Sequence, residues 1–234
     1  LINRLQSPRQ TFANGTRTSL TVNVRTGNFI YFDNSTHRIT PAHIVASGSL
    51  PPGFPATEID GEYYWDGGLV SNTPLQWMLD NRPHRDTLAF QVDLWSADGQ
   101  LPSNLQEAEV RQKEIQYSSR TRAATNQFKY AQMLRRTFRE VLGHLPDDLR
   151  AMPEVEILAK EADEKVYNIV HLIYHSKIYE GTSKDYEFSR RTMEEHWRAG
   201  YDDAARSLQH PEVFERPDNP EGVRTFDYCK KKRD

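Results

Sequence analysis

Cysteine occurs once in the 234 residues, at Cys229, so no internal disulfide framework can hold this chain together. That usage fits a reducing compartment, and a cytoplasmic setting is the expectation. Apolar runs are short, and none approaches the ~20 residues that a membrane-spanning helix requires, which leaves at most peripheral membrane contact. The opening residues Leu1–Gln10 contain no unbroken apolar core of the kind a secretory signal needs. The net charge is only −3, which excludes a general affinity for nucleic acid or for an anionic membrane. Internal repeats and low-complexity tracts are absent. So is an initiating methionine: the chain opens Leu1-Ile2-Asn3-Arg4-Leu5, from which an upstream piece is expected.

What is present suits a soluble, rather polar globular protein. Hydrophobic residues make up 37% and aromatics 11%, enough for a core, while charged residues reach 27%. The mean hydropathy is −0.78.

Periodicity divides the chain in two. Leu20, Val22 and Val24 alternate with Thr21 and Asn23, a turn follows at Arg25–Asn28, and Phe29–Phe32 is a β-favouring run, so residues 18–33 predict a hairpin. Pro41 predicts a short helix through Ala46 with Thr40 as its cap, ended by Pro51-Pro52. Residues 62–65 predict a strand running into Asp66-Gly67-Gly68. Asn72-Thr73-Pro74 opens a helix with Leu75, Met78 and Leu79 on one face. Thr87–Trp95 reads as a mostly buried strand. Strand, turn, helix and strand in that order predict an α/β fold with a mainly parallel sheet, and Asp66 at a strand's carboxyl end.

Beyond residue 98 the pattern becomes helical, which predicts a core portion over 1–98 and a helix-rich extension over 99–234. A helix is expected over 104–145, with Phe128, Ala131, Leu134, Phe138, Val141 and Leu145 as its apolar stripe. Residues 111–139 hold eight Lys or Arg against the single acid Glu114, whereas 147–164 is acidic. An antiparallel helix partner of opposite sign is the simplest account of that pair. Val166–Tyr174 reads as a central strand. Phe188–Leu208 reads as a polar helix, with Thr192 and Glu195 as an internal capping box rather than a definite start, and the tail from Pro211 to Lys230–Arg233 as loose.

An aspartate before two glycines is either a turn residue or a carboxylate held where it can meet another element's side chain. His171 and His175 have the spacing of a helical metal pair, but in a strand four residues span about 13 Å, too far for one ion. No metal or other cofactor is expected. His37 and His43 read as ordinary polar positions.

Two linked segments decide between the readings of Asp66. Ala46-Ser-Gly-Ser-Leu-Pro-Pro-Gly-Phe-Pro55 and, after a strand, Asp66-Gly-Gly-Leu-Val-Ser-Asn-Thr-Pro74 resemble the C-terminal signature block of patatin-like phospholipases over about residues 19–95. The later helices are similar to an extension found in some bacterial members. The resemblance implies the C-terminal portion of a patatin-like α/β sandwich and a Ser–Asp dyad in which Asp66 is the base. It also implies a supporting loop of Gly67, Gly68, Ser47, Pro51, Phe54 and Asn72, and a lipid or other small ester as substrate. Ser47 and Ser49 match structural positions of that block. The family's nucleophile lies in a Gly-x-Ser-x-Gly elbow, and this sequence has none; Gly181-Thr-Ser183-Lys-Asp185 comes nearest and lacks the second glycine. The serine is therefore expected on an upstream segment or a companion chain. The alternatives are a catalytically incomplete fragment kept for binding or structure, and an acyltransferase acting on acyl-thioesters, against which Asp-Gly-Gly argues because such enzymes pair serine with histidine.

Overall fold

A computed structural model describes residues 18–71, 74, 75, 77, 85–175, 187 and 189–228. The chain divides into two compact units, Leu1–Asn72 and Thr73–Asp234. Among the described residues no helix is long and apolar enough to cross a membrane.

The first unit is a four-stranded sheet in the order β2-β1-β4-β3, formed by β1 (Thr18–Asn23), β2 (Phe29–Asp33), β3 (Thr57–Ile59) and β4 (Glu62–Asp66). The predicted hairpin is present, and its turn is built by Asn23. The Asn23 carbonyl oxygen Oδ1 accepts from the backbone N–H groups of Arg25 and Thr26, each at 3.0 Å. Strand β3 was not expected from the periodicity. The signal for it was Asp60-Gly61, whose positive φ values of 51° and 81° make the two-residue turn that joins β3 to β4.

Helix α1 (Pro41–Ala46) starts where predicted, with Thr40 before it and proline in its first turn. Its third residue, His43, does the work usually given to Glu or Gln in a capping box: Nδ1 accepts the Thr40 N–H at 3.1 Å. Ser19 Oγ donates to the His43 carbonyl at 2.7 Å, tying the helix to β1. Phe32, Ala46 and Ile59 form the core beneath, with Tyr64 packed against them.

Every pairing in this sheet is antiparallel. The expectation that Asp66 ends a strand of a mainly parallel sheet is corrected. Short turns between β1 and β2 and between β3 and β4 permit antiparallel pairing alone, since a parallel pair needs a long crossover.

Parallel pairing belongs to the second unit, whose sheet has the order β5-β6-β7: β5 (Thr87–Asp93), β6 (Tyr167–Ile173) and β7 (Val223–Phe226). β6 is central, as predicted, and its first four residues are buried. Helix α2 (Leu105–His144) runs 40 residues, close to its predicted bounds. Phe128 meets Tyr167 edge-on at 5.0 Å, and Leu75, Ile169 and Val223 complete the core. Burial pushes the Tyr167 phenol up to about 12, and the nearby Asp163 charge adds to the effect.

The apolar stripe predicted for α2 is only partly the packed one. Phe128 is buried, but Val141 is 52% exposed, and the rest of the buried face is Glu114, Ser118, Thr121, Thr125 and Gln132. Small hydroxyl residues let the helix lie close to its neighbours, and several of these polar groups find partners within the helix or beyond it. Thr121 Oγ1 donates to Asp93 Oδ2 at 2.8 Å, Thr125 Oγ1 to the Thr121 carbonyl at 2.9 Å, and Gln132 Nε2 to the Lys165 carbonyl at 2.8 Å.

Two further expectations are corrected, for strand β5 and for the tail. Strand β5 is an edge strand, not a mostly buried one: Leu88, Phe90 and Val92 share one face and are 38%, 45% and 67% exposed. Helix α5 (Arg190–Leu208) is capped by Ser189, whose side chain accepts from the Thr192 N–H, so Thr192 is inside the first turn and not at the start. The tail is not loose as far as Tyr228. A 3₁₀ turn (Pro211–Val213) buries Val213 completely, and β7 buries Val223. Asn168 Nδ2 donates to the carbonyls of Val213 and Glu215 at 2.7 and 2.8 Å, which anchors that turn to β6. Cys229 and Lys230–Arg233 lie outside the described residues.

The acidic segment forms α3 (Asp147–Arg150) and α4 (Pro153–Glu161), and Arg135 pairs with Glu161 at 3.2 Å. Other cations of the basic run have different partners. Arg111 reaches the Ala97 carbonyl at 2.6 Å and Glu114 at 2.9 Å, Lys129 donates to Thr225 Oγ1, and Arg136 donates to the carbonyls of Pro220 and Glu164. Opposite charge accounts for some of these contacts, and backbone carbonyls accept from Arg111 and Arg136.

Candidate active site

Asp66 is the last residue of β4, half-buried and directly across from the fully buried Thr21 of β1. Its backbone N–H donates to the Ser49 carbonyl at 3.0 Å. That bond joins the strand end to the segment after α1, so the two halves of the sequence signature meet in space. The carboxylate is oriented locally: Oδ1 accepts the Gly68 N–H at 2.8 Å.

The loop then closes on itself. Gly67–Leu69 is a 3₁₀ turn, and the Gly67 carbonyl accepts from Val70 at 2.9 Å and Ser71 at 3.0 Å. Gly67 is required by space rather than by backbone angle. A Cβ at this position would stand 2.9 Å from the Leu20 carbonyl carbon and oxygen and 2.9 Å from Phe29 Cε2. Nothing in the sequence marked Leu20 and Phe29 as the residues that shape this loop, because they come from the hairpin 37 residues or more upstream in the chain.

Both serines of the signature are engaged as structural groups. Ser47 Oγ donates to the Ile44 carbonyl at 2.9 Å; Ser49 Oγ donates to the Val45 carbonyl at 2.9 Å and lies 3.0 Å from Thr57 Oγ1. Pro51-Pro52 carries a cis peptide bond, and the Phe54 N–H donates to the Leu50 carbonyl at 3.0 Å, turning the chain toward β3. Asn72 lies outside the described residues, as do Met78, Leu79 and the Gly181–Asp185 segment.

His43 is no ordinary polar position: it is buried, and its ring meets Phe32 edge-on at 4.6 Å. His37 Nδ1 lies 2.9 Å from Thr36 Oγ1. His171 is in β6 and His175 two residues past it, so the strand reading of that pair holds. Among the described residues no group of three or more His, Cys, Asp or Glu is placed to hold a metal ion.

Asp33 ends β2 beside this unit's core. Burial works to raise its carboxyl, but hydrogen bonds from Ser35 and Thr18 and the nearby His37 outweigh that and hold it below the usual carboxylate range.

An oriented carboxylate at a strand end can accept a proton from a hydroxyl brought against it. Comparison with known proteins identifies the setting. A family profile described as patatin-like phospholipase matches residues 2–79, and a second, described as patatin phospholipase, matches residues 115–220. The chain belongs to the patatin-like phospholipase family. No curated protein matches it. The first profile takes in the hairpin, α1 and the whole Asp66 loop, and the second runs from within α2 to the stretch before β7. Membership implies a hydrolase of the esterase or lipase type, and patatin-like domains are associated with lipid acyl hydrolysis. The architecture of this patatin-like chain is mixed α/β.

Proposed function

We propose that this chain supplies the acid of a Ser–Asp dyad for lipid acyl-ester hydrolysis, with Asp66 as general base and the serine supplied by an upstream segment or a companion chain. The observation that supports it best is the Asp66 loop. A carboxylate held at 2.8 Å by Gly68 N–H, in a turn with no room for a side chain at Gly67, keeps one orientation. That preorganisation is what a base acting on a single hydroxyl requires.

In this reading Asp66 takes the serine proton as the serine oxygen bonds to the ester carbonyl carbon. The tetrahedral oxyanion collapses, the ester C–O bond breaks, and the departing alcohol takes the proton from Asp66. Water then attacks the acyl-serine while Asp66 accepts its proton. Collapse releases the fatty acid and returns the proton to the serine. The absence of Gly-x-Ser-x-Gly from the sequence is why the nucleophile is assigned elsewhere.

The test joins the chain to a serine-bearing patatin segment and follows p-nitrophenyl ester hydrolysis. Asp66→Asn is expected to lower kcat by at least ~10²-fold, the lower end of general-base catalysis. Full activity in that variant would sink the assignment. The 234-residue chain by itself is expected to resist labelling by a fluorophosphonate probe; strong labelling would reveal a different nucleophile.

A further inference from the structure

A hollow of about 460 Å³ opens in the first unit, and neither Asp66 nor the residues of its supporting loop line it. One wall comes from the segment through the start of α1, with His37, Arg38 and His43. The other comes from the end of β3, with Glu58 and Asp60, and Ile59 also lines it. The two walls carry opposite charge, yet among the described residues neither Arg38 nor Asp60 has an ion-pair partner, and they do not pair with each other. Opposed charges that face one space without meeting form a fixed dipole, and its complement is a small zwitterion.

The imidazoles are held in place. Phe32 meets the rings of His37 and His43 edge-on at 5.3 and 4.6 Å. His43 Nδ1 accepts the Thr40 N–H, so the neutral ring carries its proton on Nε2. A guanidinium beside imidazole donors suits a phosphate, which it can grip through two parallel N–H bonds. The opposite wall discriminates among cations. Two carboxyl groups can accept the N–H donors of a primary ammonium, whereas a quaternary ammonium has none to give and is recognised by aromatic faces instead. Among the described residues no Trp, Tyr or Phe lines the hollow.

We infer that this hollow binds a phosphoryl zwitterion of the phosphoethanolamine type, with the phosphate against Arg38 and His43 and the ammonium against Glu58 and Asp60. The inference goes beyond the hydrolytic reading and does not depend on Asp66. Asp66→Asn is expected to leave this binding intact, so the two fail separately.

Titration of the 234-residue chain with O-phosphoethanolamine, followed by amide NMR and calorimetry, is the test. Shifts at residues 37–43 and 58–60 are expected, with weaker binding of phosphocholine and of inorganic phosphate. Arg38→Gln and Asp60→Asn should each weaken binding about tenfold, the loss expected for one charge-assisted hydrogen bond. Asparagine tolerates the positive φ of residue 60, so that variant keeps the turn. Co-sedimentation with vesicles rich in phosphatidylethanolamine, against phosphatidylcholine alone, separates the sources. Preference for the former identifies a lipid head group, and binding of the soluble compound alone identifies a free metabolite. No binding at millimolar concentration, or binding that ignores both variants, would overturn the inference.

Discussion

Replacing Gly67 by alanine tests the packing that orients Asp66. The added Cβ would sit 2.9 Å from two backbone atoms of Leu20 and from the ring of Phe29. Ordinary carbon contacts lie near 3.5–4.0 Å, so relief needs movement of more than half an ångström. Phe29 is only partly buried, and its ring can swing aside. Leu20 cannot yield as easily, because it lies within β1, which is paired with β2 on one side and β4 on the other. The strain therefore falls on the β1–β4 pairing or on the loop itself. Overpacking of this kind costs about 1–3 kcal/mol, and a central value of about 2 kcal/mol raises the locally opened population roughly 30-fold. Hydrogen exchange read by mass spectrometry over residues 18–23 and 62–66 reports that opening directly. Gly48→Ala is the control: its new Cβ would find nothing closer than the Val45 oxygen at 3.8 Å, an ordinary contact. We expect rapid exchange in Gly67→Ala and, within about twofold, unchanged exchange in Gly48→Ala, as for a substitution worth under ~0.5 kcal/mol. Equal protection in the two variants would show that close approach at Gly67 does not hold the loop.

Other perturbations reach the rest of the fold. Asn168→Leu removes both donors that hold the Val213 and Glu215 carbonyls, and leaving buried acceptors unmet should destabilise the second unit by about 3 kcal/mol in urea unfolding. Limited proteolysis should then cut within residues 211–226 before elsewhere; unchanged resistance would contradict the anchoring role. For Asp33 the sign is set by its lowered folded pKa. Its contribution is complete above the ordinary aspartate value of 3.8 and is lost as pH falls through the lower folded value. Exchange protection of β1 and β2 should therefore decline below about pH 4, and Asp33→Asn should flatten that decline; an identical profile in the variant would refute it.

The Asp66 loop was legible because its signature is continuous: Ala-Ser through Phe-Pro, a short strand, then Asp-Gly-Gly. The hairpin, α1 with its Thr40 start, α2 and the central strand β6 were legible for a related reason, since period-2 and period-3.6 patterns and caps are local. The buried face of α2 was not. Ser118, Thr121 and Thr125 look like a solvated surface until Asp93 is across from Thr121 Oγ1, and that pairing joins residues 28 apart. β7 hid in a charged tail because its worth depends on β6 lying beside it.

By itself the sequence determined the family, the Asp66-Gly67-Gly68 motif and the lack of a Gly-x-Ser-x-Gly motif in these 234 residues. Tertiary structure alone decided the antiparallel sheet around that acid, the Leu20 and Phe29 wedge that demands glycine at 67, and the opposed charges facing one hollow. Each of these depends on which distant residues become neighbours, and strand pairing settles that only once the chain has folded.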